Sequence, residues 1–160
     1  MDIFQAAREN NVHELKKMLY HTTINSRDDR GSTAIIIASY YNHTAVIKIL
    51  IQWGANLELK DNLGNTALMG ASFKGHKETV SLLLDAGAEI NTENGQGATA
   101  ITFAAAFGKP EIVSFLLEFG ASLEKKKLYD RMRLMYNLCR KMIFIRFTKS
   151  FQNNKPEHSF

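Results

Sequence analysis

Segments 28–60, 61–93 and 94–126 of this chain align without a gap, so that one 33-residue pattern is written three times in succession. Down the register run Gly31, Gly64 and Gly97; Thr33, Thr66 and Thr99; Ala38, Ala71 and Ala104; and Leu50, Leu83 and Leu116. The pairs Gly54-Ala55, Gly87-Ala88 and Gly120-Ala121 close each copy. A partial copy precedes them at 3–27, where Ala6 to Asn11 mirror Ala71 to His76. A fixed period of this length marks a stacked array, because a unit this short cannot bury its own apolar face and must lend it to a neighbour.

Each unit reads as a turn, a short helix, a tight corner, a second helix and a glycine stop. Thr33, Thr66 and Thr99 stand where a hydroxyl caps a first helix. Asn42, Gly75 and Gly108 fall at the corner, where a left-handed residue costs least. Pro110 opens the second helix of the last copy, a position that needs no N–H, and Gly54, Gly87 and Gly120 supply left-handed caps at the helix ends. Helices of about ten residues are marginal alone. The stripes Val46-Ile49-Leu50, Val80-Leu83-Leu84 and Val113-Leu116-Leu117 are therefore expected to face adjoining units, with the alanines at 38, 71 and 104 allowing close approach.

This pattern resembles the ankyrin repeat, a 33-residue unit of turn plus two antiparallel helices. The resemblance covers residues 3–124 and rests on offsets that recur in three consecutive copies. The wording of residues 64–75 and 99–108 is similar to small bacterial members of the family. The Thr-Pro-Leu-His segment of the family reads here Thr33-Ala34-Ile35-Ile36, Thr66-Ala67-Leu68-Met69 and Thr99-Ala100-Ile101-Thr102, so both Pro and His are missing. That loss removes the hydrogen bonds the histidine usually makes between adjacent turns. The implied fold is an all-α solenoid of helix–turn–helix pairs with hairpin-like turns, three full repeats behind an N-terminal partial capping repeat. Residues 1–124 form that domain, and 125–160 are a basic tail outside the pattern.

The tail is chemically distinct. Residues 1–123 hold 10 Lys and Arg against 13 Asp and Glu, whereas residues 124–160 hold 10 against 3, so the basic excess behind a net charge of +4 lies entirely at the end of the chain. A continuing repeat would place glycine at 130 and threonine at 132, where Asp130 and Met132 stand, and no glycine or alanine follows Ala121. Several readings stay open. The run Lys125-Lys126-Lys127 permits a reading-frame slip at adenine-rich codons, and residues 128–147 can be drawn as an amphipathic helix carrying Leu128, Met132, Met135, Cys139 and Met142 on one side. Such a helix caps the last repeat or, being basic, meets nucleic acid or an anionic membrane; a disordered tail is the remaining reading.

Nothing in the chain composes a catalytic, metal or cofactor site. No phosphate-binding glycine loop occurs, and Gly95-Gln96-Gly97 lacks the third glycine and preceding strand of a dinucleotide fingerprint. His43 and His76 lie one period apart and read as structural. Asp28 and Asp61 suit the start of a turn, where a side-chain acceptor is wanted. The single Cys139 forms no intrachain disulfide and fits a reducing compartment; with no export signal at the N-terminus, a cytoplasmic protein is expected.

Surface is what remains. The ankyrin resemblance implies that turn tips and first-helix ends line one concave strip holding a partner protein. The turns contribute Asp29, Arg30, Ser32, Asn62, Leu63, Asn65, Gln96 and Ala98, and the helix ends contribute Tyr40, Tyr41, Phe73, Lys74 and Phe107. Trp53 and Phe119 extend the strip. Phe73 and Phe107 can alternatively tuck between repeats, leaving Tyr40 and Tyr41 as the exposed anchors. The expectation is a monomeric, non-enzymatic interaction module with no small-molecule substrate or cofactor; the alternative is association of the basic tail with nucleic acid or anionic lipid.

Overall fold

The computed structural model describes residues 1–122. Among them lie eight helices and no strand: α1 (Ile3–Arg8), α2 (Val12–Leu19), α3 (Ala34–Tyr40), α4 (Thr44–Gln52), α5 (Ala67–Lys74), α6 (Lys77–Asp85), α7 (Ala100–Ala106) and α8 (Pro110–Glu118). The helix expected over 128–147 and the end of the last repeat fall outside the described residues. Helices pair within each unit, and the pairs stack in two rows, α1–α3–α5–α7 and α2–α4–α6–α8. The first row packs more densely. Its seam is built on Ala6, Ala38, Ala71 and Ala104, all fully buried, which let the backbones approach where larger side chains would hold them apart.

The corners and stops form as the pattern requires. Asn10, Asn42, Gly75 and Gly108 take positive φ at the four corners, and Pro110 is the first residue of α8. The two asparagines show that a short polar side chain can serve this corner as well as glycine does.

Three details differ from the sequence expectation. Thr33, Thr66 and Thr99 all occupy the cap position with extended backbone, but only Thr66 uses its hydroxyl there, accepting from Met69 N at 3.4 Å. Thr99 instead shares a 3.0 Å hydrogen bond with Thr102, and the buried Thr33 hydroxyl has no partner. Ile36 stands opposite Thr33 at the place that Thr102 takes in the third repeat, so no polar group answers it. The buried stripe also sits in a different register. It runs Val46-Ile47-Leu50, Thr79-Val80-Leu83 and Ile112-Leu116, while Val113 is only partly covered and Leu117 is 42% exposed. The gapless period fixes this, because Val46, Thr79 and Ile112 share one phase of the second helix. Finally Ala98, expected at the surface, is buried at 3%, and its N–H is spent on the Asn94 side chain.

Candidate protein-binding groove

Each projecting turn is folded around one side chain. Asp28 Oδ1 accepts from Arg30 N and Ser32 N at 2.9 Å, Asp61 Oδ1 from Leu63 N at 2.9 Å and Asn65 N at 2.8 Å, and Asn94 Oδ1 from Gln96 N and Ala98 N at 2.9 Å. The turn that results needs a left-handed residue, and Gly64 meets a second demand as well. Its φ is +82°, and a Cβ there would lie 2.6 Å from the backbone N of Gly95 in the next turn. Neighbouring tips are that close.

The tips are bonded to one another without the family histidine. Asn62 N donates to Arg30 O at 3.0 Å and Asn62 Nδ2 to Asp29 O at 3.2 Å; Lys60 Nζ reaches Glu93 O at 2.9 Å, and Asn94 Nδ2 reaches Asn65 Oδ1 at 2.9 Å. Amide side chains and backbone thus replace the missing imidazole.

The opposite wall is aromatic. Tyr40 and Tyr41 meet edge to face at 5.3 Å, Tyr40 lies nearly parallel to Phe73 at 6.1 Å, and Phe73 meets Phe107 at 4.4 Å and Phe103 at 6.4 Å. Lys74 sets its ammonium 5.0 Å over the Tyr40 ring. Tyr40 and Tyr41 are 38% and 51% exposed, whereas Phe73 and Phe107 are partly buried, so the phenylalanines are the packed backing of the wall and the tyrosines its open end. The wall is held from behind by the histidines: His43 Nε2 bonds Arg8 O at 2.9 Å, and His76 Nε2 bonds Tyr40 O at 3.1 Å. Partial burial holds His76 below the ordinary imidazole range, more strongly than the Tyr40 carbonyl raises it, and Lys74 and Lys109 push in the same downward direction.

Between tips and wall lie two depressions. The larger, about 590 Å³, is bounded by Arg8, Asp28, Asp29, Arg30, Ser32, Ile36, Ile37, Tyr40, Tyr41, Asp61, Asn62 and Leu63. The smaller, about 300 Å³, is bounded by Ile36, Tyr40, Asp61, Leu63, Asn65, Thr66, Met69, Gly70, Phe73 and Phe103. Leu63 stands between them at the tip, 72% exposed. Most residues expected from sequence therefore meet in one place: Asp29, Arg30, Ser32, Tyr40, Tyr41, Asn62, Leu63, Asn65 and Phe73. Gln96 lies at the exposed third tip beyond both depressions, and Phe107 and Lys74 reach them only through Phe73 and Tyr40. Trp53 stands apart, its ring edge-on to Tyr20 at 5.2 Å where α2 and α4 end.

Sequence reading missed the floor and one charged rim. Ile36, Ile37, Met69 and Phe103 looked like core, and Arg8 was not counted with the strip although the match of Ala6–Asn11 to Ala71–His76 puts it in register with Phe73 and Tyr40; that register was the available signal. No group of three or more His, Cys, Asp or Glu able to hold a metal occurs among the described residues.

The profile described as "Ankyrin repeats (3 copies)" matches residues 3–94, more than half of the chain, and the profile "Ankyrin repeat" matches 96–127. The chain belongs to the ankyrin-repeat family. No curated protein matches it. Ankyrin repeats are generally protein–protein interaction modules, and the groove just described lies on the tip-and-first-helix side of this ankyrin stack.

Proposed function

We propose that this chain is a non-enzymatic ankyrin module that holds a partner protein in the groove between its turn tips and the Tyr40–Tyr41 wall. The observation that carries the reading is the exposure of Leu63, Tyr41 and Tyr40 around depressions of about 590 and 300 Å³, on a frame whose tips are mutually bonded. Large apolar side chains cost solvation when left in water, and tyrosine and other aromatic groups at the centre of an interface supply much of its binding energy. A preformed frame loses little conformational entropy on binding, so more of that energy remains as affinity.

The test is capture from cell extract by wild type, by the double variant Tyr41→Ala/Leu63→Ala, and by Lys16→Ala on the second-helix row. Tyr41 and Leu63 are 51% and 72% exposed in the free protein, so the melting temperature of the double variant is expected to stay close to wild type. A partner retained by wild type and Lys16→Ala but lost by the double variant supports the groove. Retention by all three places the contact surface elsewhere.

A further inference from the structure

The turns and first helices repeat a single construction three times with different side chains. One register position near the end of each first helix answers the acceptor that opens the next turn: Arg8 bonds Asp28, Tyr40 lines one cavity with Asp61, and the repeat register sets Phe73 against Asn94. In the first step the chain completes its own pair, with Arg8 Nη2 donating to Asp28 Oδ2 at 2.8 Å. In the third step nothing is charged.

The second step carries an acid without an ion-pair partner, with the Lys74 ammonium standing 5.0 Å over the neighbouring Tyr40 ring. Asp61 Oδ1 is committed to its turn, but Oδ2 takes only a long 3.4 Å hydrogen bond from Asn65 Nδ2. No Lys, Arg or His among the described residues forms an ion pair with Asp61. Where the first step has a guanidinium, the second has the 300 Å³ cavity, walled by the rings of Tyr40, Phe73 and Phe103 and deepened by Gly70, at which an added Cβ would meet nothing within 4 Å. The residues matching Gly70 in the adjoining repeats are Ile37 and Phe103, so those copies carry a side chain at the position that the second leaves bare.

We propose that this cavity receives an arginine side chain of the partner, its guanidinium pairing with Asp61 Oδ2 as Arg8 pairs with Asp28 one step earlier, and lying against the aromatic lining of the cavity. The inference rests on the partner-binding reading and specifies the chemistry of one contact within it. Arginine fits better than lysine for two reasons. A planar guanidinium can bond a carboxylate and lie flat on an aromatic face at once, and the chain's own first step uses that group.

The turn itself supplies a clean variant. Asn94 performs in the third repeat the same double acceptance that Asp61 performs in the second, so Asp61→Asn removes the charge and keeps the turn. The full chain, isotopically labelled, is titrated with N-acetyl-arginine amide and with N-acetyl-citrulline amide, its neutral isostere, while backbone amide resonances are followed. Saturable shifts at Leu63 and Gly70 are expected with the arginine compound, with affinity at least about tenfold weaker for the citrulline compound and for Asp61→Asn. No response to the arginine compound, or equal affinity in either comparison, overturns the proposal. These results are independent of partner capture: loss of capture on substituting Tyr41 and Leu63 together with no guanidinium response leaves the groove standing and removes the arginine contact alone.

Discussion

Two serines place an unanswered polar atom at a buried position. Ser39 and Ser72 are fully buried in the first-helix row, and neither hydroxyl has a hydrogen-bond partner. Their register positions in the outer copies are Ala7 and Ala105, so alanine already fits the same seam twice. A desolvated hydroxyl without a partner costs about 1–3 kcal/mol. Ser72→Ala is accordingly expected to raise unfolding stability by about 1 kcal/mol, seen as a higher urea midpoint at unchanged slope; an unchanged or lowered midpoint would mean that the hydroxyl is satisfied in solution. Asp61 and Asn94 make the complementary point, since the same acceptor geometry serves a charged side chain in one turn and a neutral one in the next. The turn therefore does not require the charge of Asp61.

Among the elements, α5 carries the clearest conflict between local preference and observed structure. Gly70 lies inside this helix, where glycine is less favourable than alanine by about 0.8–1.0 kcal/mol, and its surroundings are open. Gly70→Ala should therefore stabilise the protein by somewhat less than 1 kcal/mol, measured as a rise in melting temperature, while narrowing the cavity beside Tyr40. A fall would show that the methyl group is not accommodated. The second helices are tied to the first by a different device. His76 joins α6 to the end of α3 through the Tyr40 carbonyl, and burial lowers its folded-state pKa below the usual 6.5. A histidine shifted downward contributes stability that is present above the unfolded pKa and is lost as pH falls through the folded one. Urea midpoints are expected to drop on acidification from neutral pH to below 6, and His76→Gln should show a smaller drop. Equal drops in both proteins would assign the acid sensitivity to other groups.

At the scale of the whole described stack, period and environment contributed separately. The 33-residue register was sufficient to place three of the four corners, because a left-handed residue between two short helices has a local cause that Asn42, Gly75 and Gly108 carry themselves. It also placed the aromatic ends of the first helices and the exposed tips, since those positions follow from repeat phase. The floor of the groove was not legible: Ile36 and Met69 are as apolar as any core residue, and only the stacking of one unit on the next leaves one side of them open to a cavity. Trp53 was misgrouped for the same reason. Its place before a cap glycine is a fact of sequence, but its contact with Tyr20 depends on how α2 and α4 meet.

The sequence by itself determined the repeat, its turns and its helix ends, because these depend on backbone preferences and apolar spacing within reach of one unit. Only the tertiary structure decided which acids are paired. Arg8 and Asp28 are 20 residues apart and belong to different units, and the openness of Asp61 follows from Tyr40 standing where an arginine stands one step earlier. Pairing of that kind is set by the distance between stacked side chains, and neither partner carries it alone.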